Sequence, residues 1–317
     1  MTSAVPPPGW LFADAERRRR AWTYWVTDPL VGSYNTAMHY TLRLLPIDAC
    51  SNVGVFFSAY SPYIFRESDA RARRAWARLR PHEQSPAMVE AAMRRLWRCV
   101  GRTMAEYSVI DRLWAAGRIS VVGLENMQAA RDADRPLLVA ALHLGNWETV
   151  LIAGIESGFA GSGIYLPLDN RFDMLLAIKA RDRYKGGQVA AGPGALRAAL
   201  KVLREKRGPF VIYVDEFIRG KVQAPAFGRP VRDQGNIAYA ARLAAMTDAY
   251  VVPAYCERLD DGAHFKIHFL PPIEILRGGD KDSDAIENIK RINAAIEPAI
   301  LRHLDQWYFL LDFEFDD

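Results

Sequence analysis

The chain has 317 residues, of which 50% are hydrophobic and 25% are charged, and its formal net charge is +4. This is the composition of an ordinary globular protein with a sizeable core, and no low-complexity tract interrupts it. The three cysteines, Cys50, Cys99 and Cys256, have no CxxC spacing, which argues against a disulfide framework or a zinc site and favours a reducing compartment.

Charge is distributed unevenly along the chain. Residues 1–118 hold 17 arginines, no lysine and 10 acidic residues, a charge of +7 that leaves −3 for the remainder. A basic half predicts an anionic partner, such as a membrane surface or a nucleic acid, although solvated helix faces would give the same count. No secretory signal peptide is recognisable at the N-terminus.

The first third of the chain is predicted to be helical. The stretch "ADAERRRRAWTYWVTDPL" (13–30) combines an arginine cluster with Trp22 and Trp25, a mixture typical of a helix at a membrane interface. The uncharged segment 49–65 is too short and too polar for a good membrane span, so we expect it to lie buried or in the interface. From Ser85 to Ile110, apolar residues recur every three or four positions, which predicts a long amphipathic helix capped by Ser85.

From about residue 119 the pattern changes to alternating strands and helices. Strands are predicted within 119–126, 136–142, 163–168, 209–215, 250–258 and 264–270, and helices at 147–157, 172–184, 194–206, 235–247 and 283–302. This order predicts an α/β fold with a mostly parallel central sheet flanked by helices. We therefore expect a helical region, 1–118, continuous with an α/β core, 119–317. The last two strands are predicted to form an antiparallel hairpin at the edge of the sheet.

The stretch "ALHLGNWE" (141–148) places a histidine where a buried strand meets a helix. His143 is a candidate general base, and Glu148 is the carboxylate expected to orient its ring and stabilise the imidazolium. Gly145 would allow another group to approach the backbone closely. Because no serine or cysteine lies in a nucleophile motif, the pair favours acyl transfer without a covalent enzyme intermediate.

Two acidic or histidine-rich stretches are interpreted without a metal. The segment "DKDSDAIENIKR" (280–291) starts like a calcium loop but lacks its glycine and its final glutamate, so a helix start is the better interpretation. His264 and His268 share a strand face but have no third ligand nearby. We expect neither a metal nor another cofactor.

The motif around His143 and three later segments together resemble a known family. The motif "HLGNWE" is similar to the first signature block of the lysophospholipid acyltransferase superfamily, and in particular to its branch of late lipid A lauroyl/myristoyl and phosphatidylinositol mannoside acyltransferases. Segments 165–186 and 210–231 are similar to the second and third blocks. The segment "LDQWYFLLDFEF" (304–315) resembles the C-terminal segment of that family. The resemblance extends from about residue 75 to the C-terminus.

The resemblance implies roles for the matched residues. Arg181, and next to it Arg183, are expected to hold a phosphate or an anionic headgroup. Asp215 is expected to orient Arg181 or the acceptor, with a structural role left open. Phe227 and Gly228 are expected to line the acyl channel or to turn the chain.

The first block supplies two further candidates, because Asn146 and Trp147 lie between the predicted catalytic residues. Both are expected to contact substrate. The implied enzyme takes an acyl group from acyl-CoA or acyl-carrier protein and transfers it to a hydroxyl or amine of a lipid or glycolipid. It would work at the cytoplasmic face of the inner membrane, attached to an anionic lipid surface.

Two other functions remain open from the sequence. One is a non-catalytic lipid-binding protein that keeps the fold, and the intact His143–Glu148 motif argues against it. The other is a nucleic-acid binder that uses residues 1–118, which contain no recognised nucleic-acid motif. The acceptor, the acyl length, the donor carrier and the oligomeric state are left open.

Overall fold

A computed structural model describes residues 5–182, 187–206, 208–218 and 220–315. The first part of the chain is helical, as predicted. Its helices are α1 (Ala15–Trp22), α2 (Asp28–Arg43), α3 (Ile47–Ser58), α4 (Ser61–Ile64), α5 (Arg66–Leu79) and α6 (Pro86–Glu106). A π-helical turn, Thr23–Thr27, joins α1 to α2.

The long amphipathic helix predicted after Ser85 is confirmed as α6. The Ser85 hydroxyl accepts a hydrogen bond from the Met88 amide, and a proline occupies the first turn, where its missing N–H costs nothing. The apolar stripe of α6 is buried, and Met93 and Leu96 belong to the same core cluster as residues of the central sheet. The helix ends at Glu106, four residues before the predicted end. Its burial attaches the helical region to the sheet.

The rest of the chain alternates between strands and helices. The strands are β1 (Ile119–Val122), β2 (Leu137–Ala141), β3 (Ser162–Tyr165), β4 (Gly187–Ala190), β5 (Phe210–Tyr213), β6 (Phe217–Ile218), β7 (Lys221–Val222), β8 (Tyr250–Arg258) and β9 (Phe265–Phe269). The helices are α7 (Leu124–Asp132), α8 (Glu148–Glu156), α9 (Arg171–Asp182), α10 (Ala195–Arg204), α11 (Gly235–Thr247) and α12 (Lys281–Arg302). β6 and β7 form a small separate hairpin.

The central sheet confirms the predicted α/β class. Within the described ranges its seven strands lie in the order β1-β9-β8-β2-β5-β3-β4, and every neighbouring pair is parallel except β8 with β9. The predicted antiparallel hairpin exists, but its predicted position at the sheet edge is wrong. β1 pairs with the outer side of β9 and takes the edge itself.

Four elements were not predicted: α7, β4 and the two strands of the β6–β7 hairpin. α7 begins directly after Gly123, whose φ of +77° ends the preceding strand, and the predicted strand 119–126 covers only its first three residues. β4 has the sequence "GQVA" and is only half-buried, so it lacks the apolar run by which the other strands were recognised. The unpredicted strands are short, and pairing with neighbouring strands decides them more than local pattern does.

The uncharged segment 49–65 falls in α3 and α4. α3 packs against α6 so closely that Gly54 has no room for a Cβ beside the Gly101 backbone. Phe56 and Phe57, on its other side, are exposed. Among the helices of the described residues, none is long and apolar enough to cross a bilayer.

The N-terminal helices carry many exposed large apolar side chains. They are Phe12, Trp22, Trp25, Leu30, Val31, Tyr34, Tyr40, Leu44, Phe56, Phe57, Tyr60, Tyr63, Ile64 and Phe65. Phe12 is 92% exposed and Trp22 is 57% exposed, beside the exposed arginines of α1. Soluble proteins seldom expose so many large apolar residues in one region without a partner.

Candidate active site

The site lies at the carboxyl ends of two central strands. β2 and β5 run parallel, with Ala141 paired to Tyr213. His143 and Asp215 each follow two residues after that pair, so the register brings them side by side at the same edge of the sheet. The carboxyl edge is where open parallel sheets bind their ligands.

Asp215 is the carboxylate that holds His143. Its Oδ1 lies 2.8 Å from the ring Nδ1 of His143, and its Oδ2 accepts from the backbone N–H of the same residue at 2.9 Å. Trp307 Nε1 donates to Oδ2 as well, at 2.9 Å. Because an ionised carboxylate only accepts, Nδ1 carries the proton and Nε2 is left as the basic nitrogen. Asp215 is fully buried, whereas the His143 side chain is 15% exposed.

Glu148 has a different partner from the one predicted. It is the first residue of α8, and its Oε1 accepts from Arg181 Nη2 of α9 at 2.9 Å. The predicted contact between Glu148 and the imidazole is wrong, because Asp215 takes that place. Asp215, which was expected to orient Arg181 or the acceptor or to be structural, binds the ring and the backbone N–H of His143.

A cleft of about 470 Å³ opens beside the imidazole. Its walls include the imidazole of His143, the Glu148–Arg181 ion pair and several aromatic rings. The lining residues are His143, Trp147, Glu148, Ile164, Tyr165, Leu166, Arg181, Ala191, Tyr213, Glu216 and Asn236. The Arg181 guanidinium lies 5.6 Å from the centre of the Tyr165 ring. The predicted substrate residues Trp147 and Arg181 therefore line the cleft. Arg183 lies outside the described residues.

Tyr213 braces the turn that follows His143. Its hydroxyl donates to the Trp147 carbonyl at 2.7 Å, and its ring centre is 4.4 Å from that of His143. Burial raises the pKa of the Tyr213 hydroxyl well above its usual value, and the Glu148 carboxylate acts in the same direction. Tyr213 therefore remains a neutral hydrogen-bond donor.

Glu216 and Asn236 were not predicted as site residues. Glu216 directly follows Asp215, and Asn236 lies in the first turn of α11, where its side-chain amide donates to the Glu216 carboxylate and to the Tyr213 carbonyl. Burial raises the pKa of Glu216, while the nearby His143 opposes that shift. The sequence signal for Glu216 is the acidic pair "DE" at a strand end, in which both residues face the same edge of the sheet as His143.

Asn146, which was expected to contact substrate, does not line the cleft. It is fully buried, and its Nδ2 donates to Glu106 Oε2 of α6 at 2.9 Å. Glu106 is itself fully buried and accepts from Arg258 of β8 at 2.7 and 2.8 Å. Although burial alone would lower it, this pairing holds the pKa of Arg258 above its usual value. The buried Glu106–Arg258 ion pair therefore holds, through Asn146, the loop between β2 and α8.

Gly145 makes the close approach that the sequence suggested. Its φ is +58°, and a Cβ there would lie 2.7 Å from the Cys256 carbonyl oxygen. Burial raises the pKa of the Cys256 thiol to about 12, so this cysteine stays a neutral thiol beneath the loop.

Phe227 and Gly228 lie away from the cleft wall. The Phe227 ring packs against Trp307 and Phe313, with centres 5.7 and 5.2 Å apart, and Gly228 turns the chain with a φ of +82°. Of the two roles expected for them, lining the acyl channel or turning the chain, the φ of Gly228 favours the turn. Their link to the site is indirect, because Trp307 donates to Asp215.

Comparison with known proteins supplies the family. The family model described as bacterial lipid A biosynthesis acyltransferase matches residues 16–312. The chain belongs to this family, which confirms the resemblance at the level of the family and supports acyltransferase activity. No curated protein matches the sequence.

Proposed function

We propose that this protein moves a fatty acyl chain from an acyl thioester to a hydroxyl or amine of a lipid or glycolipid, with His143 as general base. The observation that carries the proposal is the buried Asp215 bound to Nδ1 of a histidine that lines a cleft. Such a pair fixes the tautomer whose Nε2 accepts a proton. Acyl-CoA and acyl-carrier protein are the two candidate donors.

The reaction follows from this geometry. His143 Nε2 takes the proton of the acceptor as its oxygen or nitrogen bonds to the thioester carbonyl carbon. The tetrahedral intermediate then collapses, the carbon–sulfur bond breaks, and the imidazolium returns the proton to the departing thiolate. Asp215 stabilises the imidazolium between the two steps, which is the role the sequence had given to Glu148.

Arg181 is proposed to bind the acidic part of a substrate. Its guanidinium reaches the cleft, and Glu148 fixes its direction through a 2.9 Å contact. A planar guanidinium bonds phosphate or carboxylate with two parallel donors. Glu148 therefore acts on the substrate through Arg181 in this proposal.

The N-terminal helices are proposed to bind the cytoplasmic face of the inner membrane. Exposed Trp22 and Trp25 lie close to Arg17–Arg20, so apolar and cationic groups occur together on one part of the surface. Tryptophan and arginine suit the boundary between headgroups and acyl chains. This placement would bring a lipid acceptor to the protein without a spanning helix.

The test of the proposed function is a comparison of wild type with His143→Ala. With palmitoyl-CoA or palmitoylated carrier protein as donor and total bacterial lipid extract as acceptor, wild type should form acylated lipid detectable by mass spectrometry. The variant should lose at least about 100-fold in rate, the lower range for a general base, while melting at the same temperature. Wild type that binds the lipids but neither transfers nor hydrolyses any thioester would instead be a non-catalytic lipid-binding protein.

A further inference from the structure

The cleft contains a pair of side chains that the proposed mechanism does not use. Glu216 and Asn236 both line it, and they are bonded to each other. The direction of the Asn236 amide is fixed, because the Tyr213 carbonyl oxygen accepts only and lies 2.9 Å from Nδ2. The two hydrogens of Nδ2 are therefore used, one on Tyr213 and one on Glu216 Oε2.

What remains of the pair is two acceptors. Within residues 5–182, 187–206, 208–218 and 220–315, no group donates to Glu216 Oε1 or to Asn236 Oδ1. Neither oxygen is among the buried polar atoms that lack a partner, so both remain accessible from the cleft. A carboxylate oxygen and an amide oxygen side by side call for hydrogen-bond donors from a ligand.

The rest of the cleft has the opposite character. Arg181 offers donors only, which suits an anionic group. His143 and Glu216 line the same cleft, and Glu216 directly follows Asp215, which binds the His143 ring. A substrate hydroxyl bound at Nε2 would therefore have the two acceptors of Glu216 and Asn236 in its neighbourhood.

We infer that Glu216 and Asn236 accept hydrogen bonds from further hydroxyls of the acceptor, next to the hydroxyl that is acylated. The acceptor class is then a polyol headgroup, such as a sugar or a vicinal diol. This inference rests on the proposed function, and it adds the residues that select the acceptor. A lipid with a single hydroxyl would leave both acceptors without a donor, which disfavours it.

The experiment compares two acceptors that share an octyl chain, octyl glucoside and 1-octanol, with palmitoyl-CoA as donor. Wild type should acylate the glucoside with a kcat/KM at least about tenfold higher, the cost of leaving one polar group unpaired in a half-buried site. Hydrolysis of the thioester in the absence of acceptor, measured as CoA release, reports on the His143 chemistry alone.

Glu216→Gln tests the residue itself. Asn236 still requires an acceptor from residue 216, so the glutamine oxygen takes the place of Oε2 and its NH₂ faces the cleft. One acceptor becomes a donor. The preference for the glucoside, taken as the ratio of kcat/KM for the two acceptors, should fall about tenfold, and this ratio cancels any change in the rate of the His143 chemistry. Glu156→Gln, at the exposed end of α8, is the matched control and should behave as wild type.

The outcomes separate this inference from the proposed function. Equal use of both acceptors by wild type would overturn the inference even if Glu216→Gln did not fold. An unchanged preference in a folded Glu216→Gln would overturn it as well, and so would hydrolysis of the thioester without transfer to the glucoside. Absence of both hydrolysis and transfer with any lipid acceptor would instead refute the proposed function, and the inference with it.

Discussion

Replacing Asp215 by asparagine keeps the shape of the side chain and changes one acceptor into a donor. The structure decides which one. Oδ2 accepts from two donors, the His143 N–H and Trp307 Nε1, whereas Oδ1 accepts from the ring alone. The asparagine oxygen must therefore take the place of Oδ2, and its NH₂ faces Nδ1 of the imidazole. The ring can satisfy that NH₂ only as an acceptor, so its proton moves to Nε2.

The result is a correctly placed histidine in the wrong tautomer. Nε2 then carries a proton and cannot accept one from the acceptor. The whole contribution of the base is lost, about 10²–10⁴-fold in kcat, and the same exchange in Ser-His-Asp triads costs about 10⁴-fold. Folding should lose only about 1.5–3 kcal/mol for the weakened charge-assisted bonds, because no cavity is created. The variant should thus remain folded at 25 °C.

The assay is CoA release from palmitoyl-CoA with saturating acceptor, alongside the urea unfolding midpoint of each variant. Glu148→Gln is the comparison, because it changes a carboxylate of the same cleft that contacts Arg181 instead of the ring. It should raise KM for the charged substrate more than it lowers kcat. An Asp215→Asn variant that keeps more than about a tenth of wild-type kcat, beside a Glu148→Gln variant that loses 100-fold, would refute the assignment of Asp215 as the partner of the base.

Three further perturbations test other parts of the molecule. Arg181→Lys should lower kcat/KM for the charged substrate by about 10–100-fold, since one charge-assisted contact contributes about 1.5–3 kcal/mol. The kinetics are measured with donor and acceptor varied separately, and unchanged kcat/KM for both would show that Arg181 does not bind substrate. Glu106→Gln should lower the free energy of unfolding, measured in urea, by about 3–5 kcal/mol because it leaves the Arg258 charge buried without a partner. Adding Arg258→Met should restore most of the lost stability, whereas a Glu106→Gln variant within about 1 kcal/mol of wild type would contradict this expectation. Liposomes containing anionic phospholipid should sediment the protein at low salt and release much of it at 1 M NaCl, and a variant with Arg17–Arg20 changed to glutamine should bind less. Binding that only detergent reverses would argue against charge-assisted attachment.

The sequence identified His143 as a candidate base but not its partner, and the reason is topological. His143 was recognisable because a buried strand ends at it and a helix starts soon after. Asp215 was recognisable in the same way, as a polar residue at a strand end. Their contact depends on β2 and β5 being neighbours across 72 residues of chain, and strand order is not encoded in local periodicity. Glu148 is near His143 in sequence, and proximity in sequence favours a local contact over a long-range one.

Asn146 shows the same limit for a buried polar residue. A short polar side chain beside a catalytic histidine suggests a substrate contact, because polar residues are rarely buried without a partner. Here the partner is Glu106, which lies 40 residues earlier on α6, with Arg258 of β8 balancing its charge. Since Glu106 falls within an ordinary amphipathic helix, no local pattern distinguishes its fully buried carboxylate from the solvated ones.

The loop that carries His143 is held along its whole length before any substrate arrives. Its backbone bonds run from His143 N to Asp215, from Tyr308 N to His143 O, from Gly145 N to Gln306 O, from Thr103 Oγ1 to Gly145 O, from Thr149 N to Asn146 O, and from Tyr213 Oη to Trp147 O. Moving this loop would break several of these bonds at once, and each buried polar group left unpaired costs about 1–3 kcal/mol. The proposed base, His143, therefore does not have to move during the reaction. Polar groups that are already oriented lower the activation barrier most effectively, because no energy is spent on reorienting them. In the proposed mechanism, selectivity then comes from the side chains that line the cleft and bind the substrate, which are Arg181 with its donors and Glu216 and Asn236 with one acceptor oxygen each.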